Sequence, residues 1–125
     1  MKKLFLLSCF FMLISCKNEN EESFGKPTES SAEVKTPEAL GKEIFEGKGN
    51  CVACHQVNQK IIGPSIQDIA KIYKAQNGNI IDFLKNDAKP LVDPSQYEVM
   101  KTNFAITKSM SDEELKAIEA YIYSN

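Results

Sequence analysis

The sequence contains neither tryptophan nor arginine, and histidine occurs once in its 125 residues. All fifteen basic residues are therefore lysines, set against seventeen acids, and the formal net charge is −2. The planar guanidinium of arginine is the group that most often reads phosphates and base edges, so this chain lacks the usual chemistry of a nucleic-acid binder. The slightly negative net charge also argues against a nucleic-acid binder. We therefore expect no nucleic-acid partner.

Long apolar runs are also scarce, and the clearest one lies near the N terminus. Two lysines precede residues 4–14, which are almost entirely apolar. A helix that spans a bilayer needs about 20 apolar residues, so this run is too short to cross a membrane, whereas it has the length of a signal-peptide core. It leads into Leu-Ile-Ser followed by Cys16, which resembles the lipobox of bacterial lipoproteins.

The lipobox resemblance implies that residues 1–15 are a signal peptide and that Cys16 becomes an acylated N terminus. Lipid on Cys16 would hold an exported protein at a cell-envelope membrane, facing the periplasm. The alternative is an ordinary secretory peptide in which Cys16 is incidental. Residues 16–36 are polar, acidic and rich in serine, which predicts a flexible, disordered linker. Residues 37–125 have the length of one folded domain.

Caps and apolar spacing in residues 37–125 predict an all-α domain of four to five short helices. Thr36-Pro37 and the Ser111–Glu114 box are helix-start signals, because a hydroxyl accepts N–H groups that a first turn leaves without partners. Ser65 follows Gly63-Pro64 and caps another run, and Asn77-Gly78-Asn79 is typical of a turn. No stretch alternates apolar and polar residues long enough to indicate a strand.

The pentapeptide Cys51-Val52-Ala53-Cys54-His55 decides the functional prediction. Two thiols three positions apart can each add to one vinyl group of a haem, and the imidazole that follows can bind the iron. The motif therefore predicts one covalent haem c, with Cys51 and Cys54 as attachment points and His55 as an axial ligand. An export signal is consistent with this prediction, since haem is attached to such motifs outside the cytoplasm.

Other uses of a Cys-x-x-Cys pair fit the sequence less well. A structural zinc site needs four protein ligands, whereas residues 37–125 offer only these two cysteines and one histidine. A thiol–disulfide exchange pair expects a β-α-β context, which the helical pattern lacks. A disulfide between the two cysteines would close almost no loop and contribute little stability.

The second axial ligand cannot be another histidine, because His55 is the only one. A methionine, a lysine or no protein ligand remain possible. Met110 directly precedes the capping residue Ser111, a position where an apolar side chain commonly packs onto the helix that follows. Met100 stands in an irregular segment that could place a thioether over the iron. We predict Met100 as the ligand, with Met110 as the alternative.

Together these features resemble the class I monohaem cytochromes c. The resemblance extends over roughly residues 37–124, and the features that carry it are Gly41, Phe45, the Cys51–His55 motif, Gly63-Pro64, Met100 and the last amphipathic helix. It implies a monomer that shuttles single electrons between exported or membrane-bound redox partners and turns over no substrate of its own. A haem enzyme or gas sensor with an open iron position, and a subunit fixed to a membrane oxidase or reductase, remain alternatives.

The resemblance also implies two contacts. The first and last helices would cross, with Gly41 and Phe45 against Tyr121 or Ile122. The carbonyl of Pro64 would accept the ring N–H of His55 and so orient the ligand. One departure from the family is that many members place proline after the ligand methionine, whereas a lysine and a threonine follow Met100 here.

Three further sets of residues are candidates for the surroundings of the haem. The predicted pocket consists of Ile61, Ile62, Ile66, Ile69, Tyr73, Phe83, Leu84, Leu91, Val99 and Phe104. The lysines that flank the ligand segments, and that could steer a docking partner, are Lys48, Lys60, Lys101 and Lys108. The side-chain amide of Asn103, three residues after Met100, could donate to the thioether sulfur or to a nearby carbonyl and hold the ligand segment in place.

Overall fold

The computed structural model describes residues 35–125, which fold into helices joined by turns. The elements are α1 (Pro37–Glu46), α2 (Ile66–Gln76), α3 (Ile80–Leu84), α4 (Tyr97–Lys101), α5 (Phe104–Thr107) and α6 (Asp112–Tyr123), with 3₁₀ turns at Cys51–Ala53 and Pro94–Gln96. The only strand-type pairing within this range is an isolated antiparallel bridge between His55 and Lys60. None of these helices is both long enough and apolar enough to cross a bilayer. The all-α prediction is confirmed, while Cys16, the predicted signal peptide and nearly all of the predicted linker lie outside the described residues.

Side-chain caps begin three helices where the sequence predicts them. The hydroxyl of Thr36 accepts the N–H three residues later at 3.3 Å in front of α1, and the hydroxyl of Ser65 does the same at 3.0 Å in front of α2. At α6 the Ser111 hydroxyl accepts the N–H of Glu114, whose carboxylate accepts the Ser111 N–H at 3.0 Å. Each cap satisfies donors that would otherwise have no partner.

The described residues contain six α-helices rather than the four to five predicted, because the chain before α6 forms both α4 and α5. Helix α5 has no side-chain cap at Asn103, and its four residues are too few to show a helical apolar pattern. Its buried residues are Phe104 and Thr107. The hydroxyl of Thr107 donates to the Leu84 carbonyl at 2.6 Å. Tertiary contacts therefore hold α5, and the local sequence does not reveal them.

Helices α1 and α6 pack closely where Gly41 faces Ala117. A Cβ built on Gly41 would collide with the Ala117 carbonyl and would lie 2.8 Å from the Cβ of Tyr121. Glycine is thus required for this approach. One turn further along α1, the ring centroid of Phe45 lies 5.3 Å from that of Tyr121. The structure contains the contact between first and last helices that the resemblance implies.

The buried core joins α1 and α6 to α2 and α3. Its most buried members include Ile66, Ile80, Leu115 and Ile118. Met110 belongs to the same cluster and exposes only 8% of its surface. Ile80, Ile118 and further side chains of α2, α3 and α6 also line a cavity beside this core.

Candidate functional site

The segment from Cys51 to His55 forms a tight turn directly after α1. Helix α1 ends at its C-cap residue Gly47, and the N–H of Gly49 donates back to a carbonyl of α1 at 2.8 Å. Asn50 then takes the left-handed conformation, with φ of 50°, which asparagine tolerates better than most residues. The N–H of His55 donates to the Cys51 carbonyl at 2.9 Å. This turn brings Cys51, Cys54 and His55 to the wall of one cavity.

The ring of His55 is held in one orientation. Its Nδ1 lies 2.7 Å from the carbonyl oxygen of Pro64. Because a carbonyl can only accept, Nδ1 carries the proton and Nε2 keeps its lone pair. Gly63 lies against the same ring, where a Cβ would be 2.8 Å from Nδ1 and 2.9 Å from Nε2. Burial lowers the pKa of His55, although the hydrogen bond to Pro64 opposes this shift. The imidazole is neutral with a free Nε2, as a metal ligand must be.

No disulfide joins the two cysteines within residues 35–125. Burial raises the pKa of Cys51 to about 11, so its thiol is protonated at neutral pH. The Cys51 Sγ lies 3.4 Å from the Gly49 carbonyl oxygen and donates to it. Exchange-active Cys-x-x-Cys pairs work through a thiol whose pKa is lowered. The environment of Cys51 therefore argues against the thiol–disulfide exchange alternative.

The cavity has a volume of about 190 Å³, whereas one water needs roughly 10–15 Å³ on the same measure. Protein cores are close-packed and contain few voids larger than a water molecule. A cavity of this size has room for a ligand much larger than a water molecule. Its lining is mainly apolar, with two thiols and one imidazole in the wall. This set of residues fits a covalently attached haem, which needs an apolar pocket, two thiols and an axial nitrogen.

Most of the predicted pocket lines this cavity. The members that do so are Ile62, Ile69, Tyr73, Phe83, Leu84, Leu91 and Val99. The prediction was wrong for the other three, since Ile66 and Phe104 are buried in the core and Ile61 is exposed. The main apolar residues that the sequence analysis missed are Phe45, Ile80, Pro90, Val92, Tyr97, Ile118 and Ile122. Helical spacing marked several of these as inward-facing, but it does not distinguish a cavity wall from the core.

The two methionines occupy different environments. Met100 lies in α4 and lines the cavity together with His55. Met110 packs in the buried core and is absent from the residues that line the cavity. Its position just before the capping residue of α6 is one where an apolar side chain commonly packs against the helix.

Asn103 connects the methionine segment to the cysteine turn. Its side-chain amide donates to the Gly49 carbonyl at 3.1 Å across 54 residues of sequence. The sequence predicts either the thioether sulfur of Met100 or a nearby carbonyl as the acceptor for this amide, and the structure contains the hydrogen bond to a carbonyl. The hydrogen bond holds the junction of α4 and α5 against the turn that precedes Cys51.

Three of the four lysines considered for partner docking form ion pairs inside the domain. Lys48 pairs with Glu114, Lys60 pairs with Asp93 at 2.6 Å, and Lys101 pairs with Glu98 at 3.1 Å. Their positive charge is compensated locally. A role for these lysines in steering a docking partner stays a prediction.

Residues 38–125 match the family model for cytochrome c. The chain belongs to the cytochrome c family. Cytochromes c bind haem c covalently and are electron carriers, generally without turnover of a substrate. The prediction of a class I monohaem cytochrome is confirmed, and one haem is consistent with its relatives.

Three similar cytochromes show how far the likeness extends. The cytochrome is 45% identical over 51 residues to cytochrome c-551 of Pseudomonas denitrificans, an alignment that covers 41% of this chain and 60% of that relative. It is 29% identical over 84 residues to cytochrome c-551 of Pseudomonas aeruginosa, and this alignment covers 65% of this chain and 72% of that relative. It is 55% identical over 31 residues to cytochrome c2 of Rubrivivax gelatinosus, and this alignment covers 25% of this chain and 36% of that relative. The chain thus spans less than two thirds of the length of two of these relatives.

Proposed function

We propose that this cytochrome is an exported electron carrier that passes single electrons between redox-partner proteins. Its haem c would be attached through Cys51 and Cys54, with His55 and Met100 as the axial ligands. When bound, haem c supplies an iron centre that gains and loses one electron. The cytochrome would act as a monomer and turn over no substrate of its own.

The observation that carries this proposal is that all four side chains line one cavity. Cys51, Cys54 and His55 enter it from the turn after α1, and Met100 enters it from α4. Met110, the alternative ligand, packs in the buried core. With a histidine and a methionine from the chain on the iron, no coordination position would be open to a small molecule. This supports a carrier over a haem enzyme or a gas sensor.

The residues around the ligands have separate tasks in this proposal. Pro64 keeps the proton of His55 on Nδ1 and so leaves Nε2 for the iron. The apolar walls of α2, α3 and α6 exclude water, and a dry pocket with histidine and methionine ligands raises the reduction potential. Asn103 fixes the end of the methionine segment on the cysteine turn.

The proposal for the place of action rests on the N-terminal residues. We propose that the chain is exported, that residues 1–15 are removed, and that lipid on Cys16 holds the protein at a cell-envelope membrane on the periplasmic side. Residues 16–36 would then link the anchor to the cytochrome domain. The partners would be exported or membrane-bound redox proteins, such as a respiratory reductase or oxidase.

The axial assignment is tested by replacing each methionine in turn. Met100→Ala should abolish the sulfur–iron charge-transfer band of the oxidised protein, lower the reduction potential and let the reduced protein bind carbon monoxide. Met110→Leu should leave the band intact and cost less than about 1.5 kcal/mol of stability, because it nearly conserves volume in a core. Optical spectra, redox titration and carbon monoxide binding of the two purified holoproteins measure these effects.

Two results would contradict the assignment in different ways. If Met110→Leu were the variant that lost the band, Met110 would be the ligand and the electron-carrier function would stand. If the unmutated reduced protein bound carbon monoxide rapidly, the iron would have an open position, and the sensor or enzyme alternative would replace the carrier.

A further inference from the structure

The Lys60–Asp93 ion pair connects the two segments that carry the proposed axial ligands. The Nζ of Lys60 lies 2.6 Å from Oδ2 of Asp93. Lys60 ends the loop that follows His55, and its backbone pairs with that of His55 in the isolated bridge. Asp93 lines the cavity and begins the segment that runs through the 3₁₀ turn into α4, where Met100 lies. The pair therefore joins the histidine segment to the methionine segment.

The carboxylate of Asp93 is held in place by its own turn. It accepts the N–H of Ser95 at 3.2 Å and the hydroxyl of Ser95 at 2.5 Å. Only 16% of its side chain is exposed. The hydrogen bond from Lys60, and after it those from Ser95, lower the pKa of Asp93 to about 2. Lys60 thus meets a preorganised acceptor, so only its own side chain loses much rotamer freedom when the pair forms.

Besides this pair, Tyr97 restrains the segment, because its hydroxyl donates to Asn86 Oδ1 at 2.8 Å and its ring packs against Phe83 and Phe104. Helix α4 has five residues, none of them buried, and no side chain caps its N terminus. Beyond α4, the Asn103 amide fixes the segment to Gly49. Met100 therefore lies between two side-chain ties to the cysteine and histidine side of the cavity. Short exposed elements with few buried contacts are the ones that open locally at low cost.

We propose that the Lys60–Asp93 pair is a latch that keeps the Met100 segment closed over the haem cavity. Breaking the latch increases the fraction of time for which the segment is open and a foreign ligand reaches the iron. Lys60 and Asp93 are positioning residues, since they act through the segment that carries Met100. This inference rests on the proposed axial ligation by His55 and Met100.

The latch is tested by the rate at which imidazole binds to the oxidised holoprotein at mildly alkaline pH, where imidazole is neutral. Lys60→Gln and Asp93→Asn should each raise this rate about 1.5- to 5-fold, which corresponds to the roughly 0.2–1 kcal/mol typical of an exposed ion pair. Asparagine caps a helical turn as well as aspartate does, so Asp93→Asn removes the charge and keeps the turn. The double variant should bind no faster than either single variant, because both remove the same interaction.

A matched control separates the latch from a general effect of charge. Lys85→Gln also removes a lysine from an ion pair, with Asp112 at 2.7 Å, and neither residue lines the cavity. This variant should bind imidazole at the unmutated rate. Added salt should speed binding to the unmutated protein, because it screens a pair whose lysine is exposed, and should leave Lys60→Gln unchanged.

Failure of the latch and failure of the axial assignment give different results. Equal rates for Lys60→Gln and Lys85→Gln, or a double variant that equals the product of the single effects, would overturn the latch. Hydrogen exchange of the amides of residues 95–101 gives a readout that does not depend on the sulfur–iron bond, and it should be faster in Lys60→Gln than in Lys85→Gln. If Met100→Ala kept the charge-transfer band, the ligand assignment would be wrong, and the exchange rates would still decide whether the pair holds the segment.

Discussion

The orientation of His55 depends on one backbone group and one missing side chain. Pro64 supplies a carbonyl acceptor at 2.7 Å, and Gly63 leaves room for the ring because it has no Cβ. The acceptor belongs to the main chain, so changing the side chain at position 64 does not by itself remove it. The space beside the ring, in contrast, is lost on any substitution of Gly63, since every other residue adds a Cβ against the imidazole.

Gly63→Ala should therefore disturb the iron site from outside the set of ligands. The new Cβ must displace the His55 ring or the Gly63 backbone, and overpacking of this kind typically costs about 1–3 kcal/mol. We expect a lower midpoint of chemical denaturation together with a shifted haem spectrum. Denaturation of the holoprotein and its optical and magnetic circular dichroism spectra measure both. A spectrum identical to that of the unmutated protein would show that the ring tolerates the added methyl group.

At the scale of single residues, some features of the site could be predicted from the sequence and others could not. The haem prediction came from five adjacent residues, and such a motif can be read without knowing the fold. The ion pairs of Lys60 and Lys48 could not be read, because Asp93 and Glu114 lie 33 and 66 residues away. The position of Met110 just before a capping serine favours Met100 as the ligand, and the structure places Met100 in the cavity wall. Its bond to iron stays a prediction.

At the scale of elements, α1 and α6 form the frame that carries the cysteine turn. Gly41 lets the helices approach, and the Phe45 ring sits between Tyr121 and His55, 5.3 Å and 6.5 Å from their ring centroids. The frame therefore contacts the site through Phe45. The starts of both helices could be predicted because their caps are local in sequence, whereas α5 could not, because buried contacts and the Leu84 carbonyl hold it.

Gly41→Ala should weaken this frame and leave the iron site intact. An added Cβ would force α1 away from the Ala117 carbonyl, again at a typical cost of about 1–3 kcal/mol. The exposed neighbour Lys42 offers a control, since Lys42→Ala should change stability by no more than about 0.5 kcal/mol. We expect a lower denaturation midpoint for Gly41→Ala with an unchanged haem spectrum. A spectral change as large as that of Gly63→Ala would mean that helix packing and haem ligation are not separable in this way.

At the scale of the whole molecule, the N-terminal cysteine should decide where the protein is found. The unmutated protein should partition with membranes, and Cys16→Ser should either release a soluble holoprotein or leave the signal peptide uncut, because serine has no thiol to acylate. Cell fractionation and intact-mass measurement distinguish these outcomes. An unmutated mature chain that carries no lipid, or that begins at another residue, would contradict the lipoprotein proposal.

The paired lysines beside the cavity affect how the cytochrome meets its partners. A carrier surrounded by free charges attracts an oppositely charged partner, and such steering can raise association rates from about 10⁵–10⁶ to as much as 10⁸–10⁹ M⁻¹s⁻¹ at low salt. Here Lys48, Lys60 and Lys101 each have an acid beside them, so these three lysines add little net charge that could steer a partner. Their contribution to association should therefore be small and should depend little on ionic strength. The proposed lipid anchor would offset this, since confinement near a membrane raises the effective concentration of any partner held there.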